Sequence, residues 1–164
     1  MSYEIIDNAL PLDKAQEIHD VMLSDNFAWY GTKNITFKKP INDKLFYMTH
    51  QFYQEGFSSS EYFVNWYSWF KEILNVQNII RMKGNFYPGQ KNLTVHPEHV
   101  DYFYNNTAAI YYVNDNDGHT VIDGEKVNSI FNRLVIFDGQ TPHSSTDCTN
   151  AHARININFN YYKN

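Results

Sequence analysis

Ile79-Ile80-Arg81-Met82-Lys83-Gly84-Asn85-Phe86-Tyr87 alternates in character residue by residue. Arg81, Lys83, Asn85 and Tyr87 share one parity, and Ile80, Met82, Gly84 and Phe86 share the other. Successive side chains of a strand point to opposite faces, so the stretch predicts a strand with one polar and one apolar face. Near the C-terminus the pattern recurs, with Arg154, Asn156 and Asn158 alternating with Ile155, Ile157 and Phe159. Either segment alone suits a surface sheet with its polar face in water. A barrel whose polar faces converge on a site accounts for both.

Between these two segments lie candidate strands at 107–114, 119–123, 125–130 and 133–138. Turn residues separate them, notably Asn114-Asp115-Asn116-Asp117-Gly118 and Asp123-Gly124. Upstream of Val76 the period is helical. Residues 3–10 predict a short strand, and Pro11 with Asp13 opens a helix to about Ser24, with Ala15, Ile18, Val21 and Met22 on one side. A second helix is expected over 58–75, capped by Ser58, Ser59 or Ser60, with Phe63, Trp66, Tyr67, Phe70 and Leu74 as a core-packing stripe. The segment 27–43 predicts a strand and a long loop carrying Lys33, Lys38, Lys39 and Pro40. Long loops in compact domains are often functional, which makes 31–45 a candidate substrate lid. Helices followed by about eight short strands predict an α+β chain with a jelly-roll double sheet.

The 164 residues suffice for one domain, with a helical, lid-bearing part over 1–78 and a β core over 79–162. A net charge of -5 disfavours a large phosphate-tracking face, and with it nucleic acid as a partner. Cys148 is the sole cysteine, which excludes an intrachain disulfide and a cysteine-rich zinc site and fits a reducing compartment. With no basic leader and no run of 18 apolar residues, the expectation is a soluble cytoplasmic protein without a membrane partner. Aromatic residues make up 17% of the chain, a density that suits strands and stacked cores.

The chemistry centres on His96-Pro97-Glu98-His99-Val100-Asp101. On a strand, His99 and Asp101 would share a face and offer a metal two ligands, with a third to come from elsewhere. His143, in Gln140-Thr141-Pro142-His143 after a strongly apolar strand, is the best candidate. Two imidazoles and a carboxylate that leave other positions open suit non-haem Fe(II). His96 and Glu98 form a rival pair, although Pro97 interrupts any ladder there. His50, His119 and His152 fit no ligand spacing and read as structural or surface residues, as does His19 within the first helix. Arg154 follows His143 by eleven residues, on the polar face of the last strand. An inward guanidinium is costly without an anion and fits a carboxylate with two parallel bonds, so it predicts an acidic ligand. Tyr112 and Tyr87 either add hydroxyl donors to that ligand or serve as aromatic core.

These residues resemble the 2-oxoglutarate- and Fe(II)-dependent dioxygenases, in particular the prolyl-4-hydroxylase-like members. The resemblance covers about 80–162 and rests on six motifs in order: Phe86-Tyr87-Pro88-Gly89 before His99-Val100-Asp101, then Ile110-Tyr111-Tyr112-Val113-Asn114, Asn132-Arg133-Leu134-Val135-Ile136-Phe137, Pro142-His143, and Arg154. It implies a double-stranded β-helix with N-terminal helices packed on its major sheet. Iron would be held by His99, Asp101 and His143, and the far carboxylate of 2-oxoglutarate by Arg154 with Tyr112 and Tyr87. It also implies oxygen as co-reactant, ascorbate as an optional reductant, and hydroxylation of a prolyl residue in a peptide or protein, or of a free amino acid or small metabolite. Asp101 favours hydroxylation, because halogenating relatives lack that carboxylate. One departure is the single Gly118, followed by His119 and Thr120, where related enzymes often carry several glycines. A cupin-like metal- or ligand-binding module is the reading from a different class, although it gives no role to an inward Arg154.

Overall fold

The computed structural model describes residues 3–32 and 46–164. All strand pairs within it are antiparallel. In chain order the elements are β1 (Tyr3–Asp7), α1 (Leu12–Met22), β2 (Tyr30–Thr32), β3 (Tyr47–Gln54), β4 (Phe57–Ser58), α2 (Phe63–Lys71), β5 (Val76–Pro88), β6 (Thr107–Tyr112), β7 (His119–Ile122), β8 (Glu125–Asn128), β9 (Arg133–Asp138), β10 (His143–Ser145) and β11 (Ala153–Lys163). The larger sheet runs β1-β9-β6-β11-β5-β3-β2, with β4 added to β3, and a smaller one runs β10-β7-β8. Two facing antiparallel sheets with two helices among the described residues agree with the jelly-roll expectation.

Two apolar layers hold the molecule together, one on each face of the large sheet. On one face Ala15, Ile18 and Met22 of α1 and Phe63, Trp66 and Phe70 of α2 join Met82, Phe86, Ile155, Ile157 and Phe159. Phe70 lies edge-on to Tyr111 at 4.9 Å and 4.8 Å from Phe159. On the other face Ala108, Ile110, Tyr112, Val135 and Phe137 meet Ile122 and Val127 of the small sheet. Because alternate residues of β5 and β11 face opposite ways, their apolar set enters the helix-side core and their polar set points between the two sheets. Tyr87 pairs with Arg154, Asn85 with Asn156, Lys83 with Asn158 and Arg81 with Asn160. The polar residues of the two strands therefore form one continuous patch.

Several elements differ from the sequence expectation. The hairpin β3–β4 falls where no strand was expected, and it consumes Ser58, leaving α2 to start at Phe63 with no side-chain cap. α2 also ends at Lys71 rather than near 75, and Asn75 turns the chain at a positive φ of 51° into β5. β10 was not expected as a strand. The lid proposed over 31–45 lies outside the described residues except for Gly31 and Thr32, which belong to β2. Among the described residues no helix is long and apolar enough to cross a membrane.

Candidate metal centre and anion pocket

His99 does not sit on a regular strand. Pro97 has no N–H to extend a ladder, and the segment makes only isolated bridges, Val95 with Thr146 and His99 with His143, the latter pair exchanging N–H···O bonds of 2.9 and 3.0 Å. That bridge fastens the loop before β6 to β10 and sets the two rings 4.6 Å apart. Ligand atoms of His99, Asp101 and His143 all lie within 4.8 Å of one another, the one such trio among the described residues. His99 Nδ1 lies 3.2 Å from the Pro97 carbonyl and His143 Nδ1 3.0 Å from that of Thr141. A carbonyl can only accept, so each Nδ1 carries the proton and each Nε2 keeps its lone pair for a metal.

The donor set fits a divalent ion. His143 Nε2 is buried with no hydrogen-bond partner, and a metal is the partner such an atom lacks. Asp101 Oδ1 lies 3.9 Å from His99 Nε2, while Oδ2 is taken up by Arg81 Nη2 at 2.7 Å and by Asn160 Nδ2 at 3.2 Å. The Arg81 contact is a close ion pair rather than a well-aligned hydrogen bond. Burial pushes the Asp101 carboxyl up, but Arg81, His143 and Lys83 outweigh it and hold the group well below the usual carboxylate range. Burial, with the charge of His143 beside it, takes His99 down to about 4. Both groups are thus in their metal-binding forms at neutral pH.

The second half of the site is built around Arg154, whose side chain is fully buried. Nε donates to Ser129 Oγ at 2.7 Å, Nη1 to Ser145 Oγ at 2.7 Å and the Thr146 carbonyl at 3.3 Å, and Nη2 to Thr120 Oγ1 at 2.8 Å. The rings of Tyr87 and Tyr112 lie 5.5 and 5.6 Å from the guanidinium carbon. Among the described residues no carboxylate pairs with Arg154. Gly118 makes the approach possible, since a Cβ there would run into Arg154 Cδ and the Asp147 carbonyl.

A cavity joins the two halves. Its lining includes His99, Asp101 and His143 at one part and Tyr87, Thr120 and Ser145 at another, with Lys83 and Asn158 alongside. Thr120 Oγ1 already accepts from both Arg154 and the Tyr112 hydroxyl, the latter at 2.8 Å. Both of its lone pairs are used, so its own proton remains to be donated into the cavity. Tyr112 commits its proton to Thr120, whereas Tyr87 lines the cavity directly. His96, of the rival pair, stays outside the trio. It packs 5.1 Å from the Tyr87 ring, and burial together with the Arg154 charge takes it down to about 4. His50 is anchored structurally, its ring nitrogens 2.7 Å from the Ala28 carbonyl and 2.8 Å from Ser60 Oγ.

No family profile matches the sequence, and no curated protein matches it. Solved structures do. A prolyl hydroxylase from Trichoplax adhaerens, in complex with a hypoxia-inducible-factor oxygen-degradation-domain peptide, superposes with a TM-score of 0.69 at 17% identity, covering 99% of this chain and 84% of that one. A Pseudomonas putida prolyl-4-hydroxylase gives 0.60 at 14% identity, with 99% and 94% covered. HygX from Streptomyces hygroscopicus, with nickel, 2-oxoglutarate and hygromycin B bound, gives 0.66 at 8% identity, with 99% and 83% covered. The fold is that of the 2-oxoglutarate- and Fe(II)-dependent oxygenases. Within this oxygenase fold, reading the sequence missed Thr120, Ser129 and Ser145 around Arg154, and Arg81 and Asn160 behind Asp101. Ser145 had a signal, lying two residues after His143 and so on the same face of β10. Arg81 and Asn160 lie on the polar parities of β5 and β11 that the alternation marks, whereas Thr120 and Ser129 carry no local signal.

Proposed function

We propose that this chain is an Fe(II)- and 2-oxoglutarate-dependent dioxygenase that hydroxylates a C–H bond, with a prolyl residue of a peptide or protein as the leading substrate. The observation that supports it most is one cavity lined by a three-ligand cluster and by Thr120 and Ser145, behind which lies a buried guanidinium with no carboxylate partner among the described residues. His99, Asp101 and His143 would hold the metal through two Nε2 atoms and Oδ1. The far carboxylate of 2-oxoglutarate would be met by the Thr120 hydroxyl and the remaining Nη2 donor of Arg154, with Tyr87 and Ser145 beside it. Bound Fe(II), with 2-oxoglutarate and O2, supplies the oxidant, and succinate and CO2 are the co-products.

The protein's own contribution is orientation. The Nδ1–carbonyl bonds fix both imidazoles, Arg81 and Asn160 hold Asp101 Oδ2, and the serine and threonine hydroxyls lock the guanidinium plane. A free amino acid or small metabolite is the second substrate reading, favoured by the likeness to HygX, which has hygromycin B bound. The reading as a whole is tested by incubating the purified protein with Fe(II), ascorbate and 2-oxoglutarate and measuring succinate with candidate peptides and amino acids. Background succinate throughout, with no rise in Tm on adding Mn(II) and 2-oxoglutarate, would exclude it.

A further inference from the structure

Lys83 is a lysine on the inward face of β5, facing the cavity at the metal-ligand side, and the metal and cosubstrate reading leaves it without a task. Its ammonium lies 5.9 Å from the centre of the Tyr47 ring. No carboxylate among the described residues pairs with it, since Asp101 is taken by Arg81. Directly across the ladder stands Asn158 of β11. Asn158 Oδ1 accepts from Asn85 Nδ2 at 3.2 Å, which fixes the amide and leaves its NH2 group as a donor without a partner among the described residues. Lys83 and Asn158 both line the cavity that holds His99, Asp101 and His143.

The charge balance points the same way. Lys83 lines this cavity, Arg81 and Arg154 lie behind its lining against Asp101 and Thr120, and Asp101 is the one carboxylate in the lining among the described residues. A divalent metal and a dianionic cosubstrate would cancel each other, which leaves Arg154 and, when protonated, Lys83 without a counter-charge; burial and Arg81 take Lys83 down to about 7, and an anion beside it would restore its charge. A half-buried cation is retained at a cost unless something anionic comes to meet it. We infer that Lys83 Nζ and Asn158 Nδ2 form a subsite for a carboxylate of the substrate, so that the C–H bond attacked lies on an acid or beside an acidic residue. The inference rests on the function proposed above, and it narrows the substrate class.

Acid and amide pairs test it on the protein loaded with Mn(II) and 2-oxoglutarate, by calorimetric titration. The pairs are L-proline against L-prolinamide, for a free acid, and short prolyl peptides with Glu against Gln next to the proline, for an acidic residue. At least one acid should bind ten-fold or more tightly than its amide, and Lys83→Met should cut that preference to two-fold or less. Lys83→Gln serves if the Met variant does not fold. Affinity for 2-oxoglutarate, measured without substrate, should stay within two-fold in the variant. Equal response to acid and amide, including none to either, overturns the inference, and so does a five-fold loss of 2-oxoglutarate affinity, which would assign Lys83 to the cosubstrate. Failure of the proposed function reads differently, since the unmodified protein would then not bind 2-oxoglutarate at all.

Discussion

At the scale of single residues, the roles divide between two groups that share a cavity but not their bonds. Arg154→Ala removes the cation while leaving His99, Asp101 and His143 untouched, so 2-oxoglutarate affinity should fall by about a hundred-fold, the equivalent of roughly 3 kcal/mol for a charge-assisted pair. Mn(II) affinity, followed by electron paramagnetic resonance of the free ion, should stay within a few-fold. Equal loss of both would contradict the division. Thr120→Val is the finer probe, because Thr120 Oγ1 sits between Arg154, Tyr112 and the cavity. It deletes a donor and strands two others, so a drop in 2-oxoglutarate affinity of about ten-fold is expected with metal binding preserved. His143→Ala should do the reverse and abolish the metal-dependent rise in Tm. The three ligands and Arg154 stand out in the sequence through their residue types and spacing, His99 and Asp101 in a short His-x-Asp stretch and Arg154 on the polar parity of its strand. Thr120, on β7, and Ser129, just past β8, do not, because a hydroxyl looks the same in sequence whether it meets water or a guanidinium.

At the scale of elements, legibility followed the regularity of burial. β5 and β11 each put one parity into the helix-side core and the other into the polar interior, so their alternation survives in the sequence. β3 does not alternate cleanly. His50 and Phe52 are buried on the helix side, but Tyr47 on the opposite parity is buried too, and aromatic or mixed residues occur on both faces. α2 was read too long because Leu74 continues the apolar spacing and is indeed buried, yet it is reached through a turn. The Asn75 backbone, at positive φ, ends the helical path there. Two element-level outcomes follow from this packing. Phe70→Ala removes the ring that joins α2 to β6 and β11, and should cost about 3–5 kcal/mol, read as a lower denaturant midpoint with unchanged slope. Gly118→Ala acts on the short loop before β7, where the added carbon meets Arg154 Cδ and the Asp147 carbonyl. Weakened 2-oxoglutarate binding in a protein that still folds and still binds Mn(II) is the expected result; unchanged cosubstrate affinity would show that the loop yields without moving Arg154.

At the scale of the whole molecule, the buried imidazoles tie stability to pH. Burial lowers His50, and burial with neighbouring positive charge takes His96 and His99 down to about 4, against 6.5 for an unperturbed imidazole. Between those values the unfolded chain binds protons that the folded one refuses, so stability rises with pH there. The contribution is complete above about pH 6.5 and is lost as pH falls toward 4. For His96 and His99 the loss at pH 5 is on the order of 1–2 kcal/mol each, which for a chain of this size means roughly 5–15 °C in Tm. Thermal melts of the metal-free protein from pH 7.5 to 5 should show that fall, and a flat or rising Tm would contradict it. Saturating Mn(II) should raise Tm at pH 7.5, because the ion binds the fold, in which His99 and Asp101 are already unprotonated. Chelation by EDTA should return the metal-free value. Since His96 lies outside the ligand trio, His96→Gln should flatten the metal-free curve while leaving the Mn(II)-dependent gain at pH 7.5 intact, so the imidazole and metal contributions to stability can be separated in one protein.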